Sequence, residues 1–437
     1  MKYISTSGKH TTDLKGVISN CFAPDGSLYL PERLPVIPRA LFNNIEEMTL
    51  RDIAYVVVTT LLGGDVTPVA LKHVVDDTFI YNVPFVSLSD GTDVMELFGG
   101  PTMAFKDFSA QFVANFIKQG APGGLPSVAI VATTGNTGAA VANAFARHSG
   151  RHVVVLYPHG ALNRSQLMQF TTLGSSVHSL EVGGDIGRCK QMVRQAMADA
   201  ELGESMRLIC VNTANYLRLV PQVVLFFYAY ARLKKMYGRA DGFSPAIPCG
   251  NLSMLASAVI ASRIGLPMGP IVAGCNANDD LVRVLSGELS PEKVNVSSRP
   301  TLAKAMDSGF PTNLARVLKL YDDDVAAAAA HIKAYAVSDA EISAIIREEA
   351  DAGYMVDPHT AVAIGALRKA SGTQPGRPVV FATAHPAKSL DIITDITGKA
   401  IDMPLQLTKF MARGVAPIKL APSYPALRKF LLSEIIS

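Results

Sequence analysis

One segment constrains the fold more than any other. The apolar run Val128-Ala129-Ile130-Val131-Ala132 stops at Thr133-Thr134-Gly135-Asn136-Thr137-Gly138. Helical spacing begins at Ala139, and a second strand-like run follows at His152–Tyr157. A short, wholly apolar run bounded by turn residues reads as a buried strand, so the segment is a βαβ unit with a glycine-rich turn at the helix N-terminus. Such a turn presents free backbone N–H groups, hydroxyls and the positive end of the helix dipole, which suits a carboxylate or a phosphate. The plainer alternative is a strand-to-helix turn with no ligand. Neither G-x-x-x-x-G-K-[ST] nor G-x-G-x-x-G is present, which argues against a nucleotide loop. A second unit of this kind is Ala246-Ile247-Pro248-Cys249-Gly250-Asn251-Leu252-Ser253-Met254, ahead of helical spacing over Leu255–Ile264.

A lysine lies in another unusual setting. Gly99, Gly100 and Pro101 force a turn, and Phe108, Phe112, Phe116 and Ile117 then recur at helical spacing. Lys106 therefore stands at or near a helix start, among small and apolar residues. Desolvation lowers a lysine pKa and frees the amine for chemistry such as Schiff-base formation. The competing reading is a Lys106–Asp107 surface pair.

Composition sets outer limits. The 437 residues suffice for two or three domains or one large two-lobed enzyme, and 49% hydrophobic against 18% charged residues fits a large core. A net charge of +3 without a dense basic run argues against nucleic acid. The five cysteines are widely spaced with no C-x-x-C, so neither a zinc site nor a disulfide framework is indicated, as in a reducing compartment. MKYISTSGKH lacks the apolar core of a signal peptide, and the apolar run near Val220–Tyr230 contains Pro221 and Gln222 and is too short to span a bilayer. These features predict a soluble cytoplasmic protein with no membrane partner and no metal.

Several stretches together resemble the threonine synthases, pyridoxal-phosphate (PLP) enzymes of the tryptophan-synthase-β structural type. Gly100-Pro101-Thr102-Met103-Ala104-Phe105-Lys106-Asp107-Phe108 is similar to the family's cofactor-lysine segment. The turn Ala23-Pro24-Asp25-Gly26, the face Asn215, Arg218 and Gln222, the segment Asp357-Pro358-His359-Thr360, and Thr383-Ala384-His385-Pro386-Ala387-Lys388 also match. Departures occur at motif positions. Gly99 replaces a histidine, and Asn136 replaces the aspartate of S-G-D-T-G. Leu252-Ser253-Met254 replaces the end of G-N-F-G-N, where Ser253 would be strained at any position needing positive φ. Ile186-Gly187-Arg188-Cys189-Lys190 stands against F-D-D-C-Q, a change that reads as surface drift at a helix start.

The resemblance implies an α/β fold: a two-lobed, fold type II PLP enzyme with open twisted sheets flanked by helices. Residues 1–95 form an N-terminal subdomain, 128–230 the smaller substrate lobe, and 96–127 with 231–437 the larger cofactor lobe. It implies PLP as cofactor, Lys106 as its lysine, and Gly250, Asn251, Leu252, Ser253 and Met254 around its phosphate. Thr383 faces the ring nitrogen. Thr133, Thr134, Gly135, Asn136 and Thr137 take the substrate carboxylate, and Arg218 is a candidate for an anionic group. Lys304 and the altered Asn163-Arg164 stretch are further candidates for the substrate phosphate, and His359 fixes a turn near the cleft rather than acting as acid or base. The implied reaction converts O-phospho-L-homoserine and water to L-threonine and phosphate, in a monomer or homodimer. Two rivals share these features: a paralogue acting on another phosphorylated amino acid, and a non-catalytic regulator that binds an amino acid or phosphate.

Overall fold

The computed structural model describes residues 1–119, 125–147, 151–162, 164–238, 242–294, 297–309, 311–370, 376–411 and 417–436. Two separate sheets carry the two lobes. The first runs Ile332–Ala336, Ile271–Cys275, Ser244–Pro248, Pro378–Ala382, Asp93–Glu96 and Phe85–Ser87, six strands in that spatial order. All its pairings are parallel except the last, where Phe85–Ser87 runs antiparallel as an edge. The second, of five strands, runs Ile418–Leu420, Val177–Val182, Arg151–Pro158, Ser127–Ala132 and Arg207–Cys210, all parallel. A small antiparallel sheet, Tyr3–Ser5 between Thr11–Thr12 and Tyr29–Pro31, begins the chain.

The apolar runs become central strands because helices cover both faces. Val128, Ile130, Val153 and Val155 are fully buried, as are Val272, Val379 and Phe381 in the other sheet. The strongly apolar helix Val220–Tyr237 is buried along almost its whole length and ends on Gly238 in the left-handed region (φ 71°). The lysine helix, Lys106–Gln119, buries Phe108, Phe112 and Ile117.

Sheet pairing redraws the expected domain limits in two places. Phe85–Ser87 and Asp93–Glu96 belong to the six-stranded sheet, so the N-terminal unit stops before residue 95. The C-terminal strand Ile418–Leu420 joins the five-stranded sheet beside Val177–Val182, although 231–437 was assigned to the other lobe. Leu427 and Leu431 of the helix Tyr424–Ile435 share a buried cluster with Cys189, Met192 and Val193. A three-residue edge strand carries too little periodicity to be read from sequence.

Strand order brings the important loops together. Thr133 follows Ser127–Ala132, Gly250 follows Ser244–Pro248, and Thr383 follows Pro378–Ala382, each just beyond a strand's C-terminal end. Ligands bind at this edge of open parallel sheets. Among the described residues no helix is long and apolar enough to cross a membrane.

Candidate active site

Lys106 is the first residue of its helix and half-buried in a cleft between the lobes. Its Nζ makes no hydrogen bond or ion pair among the described residues; it lies 4.1 Å from the centre of the Phe105 ring. Burial, then the nearby Arg218 guanidinium, pushes its pKa down to about 7. A free amine is therefore well populated near neutral pH. The surface-pair reading fails, because the Asp107 carboxylate turns into the protein. It accepts from Thr102 N at 2.9 Å and Thr102 Oγ1 at 2.6 Å. Gly100 is required here: a Cβ would come within 2.4 Å of Asp107 Oδ2.

Thr383 is fastened to the lysine segment by the main chain. Phe105 N donates to Thr383 O at 2.9 Å, and His385 N to Met103 O at 3.1 Å. Lys388 Nζ reaches back to Thr102 O at 2.7 Å and Gln169 Oε1 at 2.6 Å. Thr383 lines the cleft, and its hydroxyl makes no hydrogen bond to protein among the described residues. Lysine and hydroxyl are thus held in fixed relation by backbone bonds.

Two loops face them. In the first, Thr133 Oγ1 accepts from Gly135 N at 3.0 Å and Gly138 N at 3.1 Å, so this hydroxyl shapes the turn. Gly135 holds φ 146°, where a side chain would also strike Gln166. Thr134, Asn136 and Thr137 line the cleft, and the buried Asn136 Oδ1 has no protein partner. In the second loop, the N–H groups of Gly250, Leu252 and Met254 donate to no protein acceptor among the described residues. Asn251 holds this turn, accepting from Ser253 N at 3.2 Å and donating to Thr213 Oγ1 at 2.9 Å. Gly250 packs against main chain, since a Cβ would lie 2.9 Å from Met306 Cα. The left-handed residue is Leu252 (φ 62°), and Ser253 is the ordinary first residue of the helix Ser253–Arg263, so the strain expected at Ser253 falls one position earlier.

A free buried amine, an unclaimed set of N–H donors and an unclaimed hydroxyl facing one cleft are what a phosphorylated aldehyde cofactor needs. The family model for pyridoxal-phosphate dependent enzymes matches residues 94–383, and that for the threonine synthase N terminus matches residues 2–79. The threonine synthase of Serratia marcescens is 34% identical over 93% of this chain and 92% of its own. The crystal structure of threonine synthase from Escherichia coli superposes with a TM-score of 0.90 at 29% identity, covering 99% of both chains. That of PLP-bound threonine synthase from Brucella melitensis gives 0.86 at 27% identity over 100% of each chain.

The chain belongs to the threonine synthase family of PLP enzymes.

Within that family its departures take on physical meaning. At Gly99, where threonine synthases usually carry histidine, a Cβ would meet Asn82 O at 2.4 Å, so the backbone here runs where a side chain cannot follow. His385 instead stacks edge-to-face on Phe98, centroids 5.3 Å apart. The residues expected to hold the cofactor and the substrate carboxylate all line the cleft, whereas the phosphate candidates Arg218, Lys304 and Arg164 do not. Arg218 is fully buried, and its Nε, Nη1 and Nη2 have no partner among the described residues. Its influence on the site is electrostatic, through Lys106.

Other candidates settle differently. Lys304 is exposed and is not among the cleft residues, whereas Ala305–Ser308 are. His359 Nε2 accepts from Ala305 N at 3.2 Å while Nδ1 faces Asp357, so both ring nitrogens are engaged in fixing that turn. Asn163 lies outside the described residues; Arg164 begins the helix Arg164–Thr171. Lys190, read as surface drift, lines the cleft where the family segment carries glutamine. The departure from family pattern at that position was the available signal; its place in the wall depends on how the helix Ile186–Ala198 docks.

Proposed function

We propose that this threonine synthase converts O-phospho-L-homoserine and water to L-threonine and phosphate, using PLP. The observation that carries the reading is the unpartnered Lys106 amine, with its pKa near 7, facing two donor loops and the Thr383 hydroxyl. The residues fit the cofactor. The N–H groups of Gly250, Leu252 and Met254, with the Ser253 hydroxyl, would hold its phosphate, and Asn251 keeps that turn in shape. Thr383 would face the ring nitrogen. A neutral hydroxyl leaves that nitrogen largely unprotonated. When bound, PLP supplies an electron sink for negative charge developing on the substrate carbons.

The remaining work falls to the chain. Thr134, Asn136 and Thr137, at the N-terminus of the helix Asn136–Phe145, bind the α-carboxylate. Asn136 would donate its side-chain amide N–H to that carboxylate, and its Oδ1 is buried with no partner among the described residues. Thr133 holds the loop. Lys106, once the substrate amine has taken its place, carries protons at Cα, Cβ and Cγ. The bond between Cγ and the phosphate oxygen breaks, and water adds its hydroxyl at Cβ. Basic character near pH 7 lets the same amine take and return protons. On this reading the enzyme is cytoplasmic, a monomer or homodimer, and acts on a small phosphorylated amino acid without nucleic acid; the five free, buried cysteines suit a reducing compartment.

The test compares the wild type with Lys106→Ala. The wild type is expected to show visible absorption from bound PLP and to release phosphate with threonine from O-phospho-L-homoserine. Lys106→Ala is expected to lose that absorption and at least about 10²–10⁴-fold in turnover. A coloured protein that leaves O-phospho-L-homoserine untouched would refute the reaction.

A further inference from the structure

The substrate of the proposed reaction carries a dianionic phosphate of its own, and that group needs a cation. Among the described residues lining the cleft the cationic side chains are Lys106 and Lys190. Lys106 is committed to the cofactor. Lys190 lies in the first half of the helix Ile186–Ala198, half-buried, and makes no hydrogen bond or ion pair among the described residues. It also lines an adjoining cavity with Phe22, Arg194, Asn212, Thr213 and Asn251. Lys190, Asn212 and Asn251 therefore form the wall the two spaces share.

The charges around Lys190 compensate it only in part: Asp185 favours its charged form, but burial and Arg194 outweigh it. Arg194, one turn further along the same helix face, adds like charge and stacks on Phe22 at 4.8 Å. Asp185 also caps the helix by accepting from Arg188 N at 2.9 Å. Asp307, also in the cleft lining, already accepts from Asn276, Asn278 and Thr301. Burial and then Arg194 lower the Lys190 pKa, an expense that an incoming dianion would remove.

We propose that Lys190, backed by Arg194, adds to the subsite for the substrate's phosphate monoester a cation that family members with glutamine at this position lack, and so tightens this chain's hold on a phosphorylated amino acid. This rests on the threonine synthase reading above. The phosphate enters between Lys190 and the Asn212–Asn251 wall, with Arg194 on the outer side. After cleavage the released phosphate retains the same cations and has the adjoining cavity as its way out.

The test uses PLP-loaded wild type, Lys190→Gln and Lys190→Arg. Lys190→Gln is expected to raise KM for O-phospho-L-homoserine about tenfold or more, as for loss of a charge-assisted contact. It should weaken competitive inhibition by inorganic phosphate similarly. Its visible spectrum, and the affinity for L-threonine read from that spectrum, should stay within about twofold of wild type. Lys190→Arg should recover most of the loss. Unchanged KM and unchanged phosphate inhibition overturn the proposal. Lost phosphate inhibition with unchanged KM assigns the subsite to the departing phosphate and overturns the anchoring of substrate. If the wild type does not turn over O-phospho-L-homoserine, the reaction assignment falls separately. Calorimetric titration of both holoproteins with inorganic phosphate then decides the subsite: weaker binding in Lys190→Gln sustains it, equal binding overturns it.

Discussion

Leu252 offers a test of how the cofactor loop is built. It sits in the left-handed region (φ 62°, ψ 17°) between Asn251 and the helix Ser253–Arg263, and its side chain is only 2% exposed in the main core. Two terms oppose each other at this residue. Removing the side chain to alanine costs about 2–5 kcal/mol in lost contacts and cavity. Holding an L-residue in the left-handed region costs about 1–2 kcal/mol, which glycine does not incur. Leu252→Ala loses the packing and keeps the strain, whereas Leu252→Gly loses the packing and sheds the strain. The difference between the two variants isolates the backbone. Leu252→Gly should therefore be the more stable by about 1 kcal/mol, reversing the usual order in which glycine is worse by about 0.5–1 kcal/mol. Ser253 is the control: it is helical, so Ser253→Gly should be less stable than Ser253→Ala by about that usual amount. Urea midpoints should be compared at equal PLP saturation, because a ligand bound only to the native state adds stability by mass action. Leu252→Ala matching or exceeding Leu252→Gly would refute a strained turn at this position.

Two further outcomes follow from the same geometry. Arg218 is a like charge that, after burial, holds the Lys106 pKa down, so Arg218→Met should raise that pKa and move the acid limb of the kcat profile, where the amine is free with substrate bound, to higher pH. The variant should fold at least as stably as wild type, because it removes buried donors that no protein group satisfies; an unmoved profile would show that the guanidinium does not act on Lys106. Thr383→Val should lower turnover by about tenfold or more while changing stability by under about 1 kcal/mol, since the bond from Phe105 N to Thr383 O is main-chain and survives. Unchanged turnover in the valine variant would remove the hydroxyl from the site.

Much of the site was legible because it is locally encoded. A strand that ends on glycine and small polar residues before a helix makes its donors within a few residues, so the loops at Thr133–Gly138 and Gly250–Met254 could be located from spacing alone. The position of Lys106 at a helix start was legible for a similar reason, from the turn before it and the aromatic stripe after it, but its setting away from a surface pair was not. The sequence could not say that Asp107 turns onto Thr102, since that depends on a close backbone approach at Gly100. Nor could it say which loop residue takes the left-handed conformation, because that depends on how the turn meets Met306 and Asn313.

The chain's own pattern thus determined the element types and the turn chemistry, set by hydrogen bonding and periodicity over a few residues, whereas it took the family resemblance to favour Lys106 as the cofactor lysine over a surface pair. Tertiary structure alone decided which charges share a space. It carried Ile418–Leu420 from the far end of the chain to the edge of the five-stranded sheet. It withdrew Arg218 behind the wall of the cleft, turned His359 onto a backbone N–H, and brought Lys190 from a helix read as surface into the cleft. Each of these depends on packing between segments far apart in sequence, where burial energy, not local propensity, selects the arrangement.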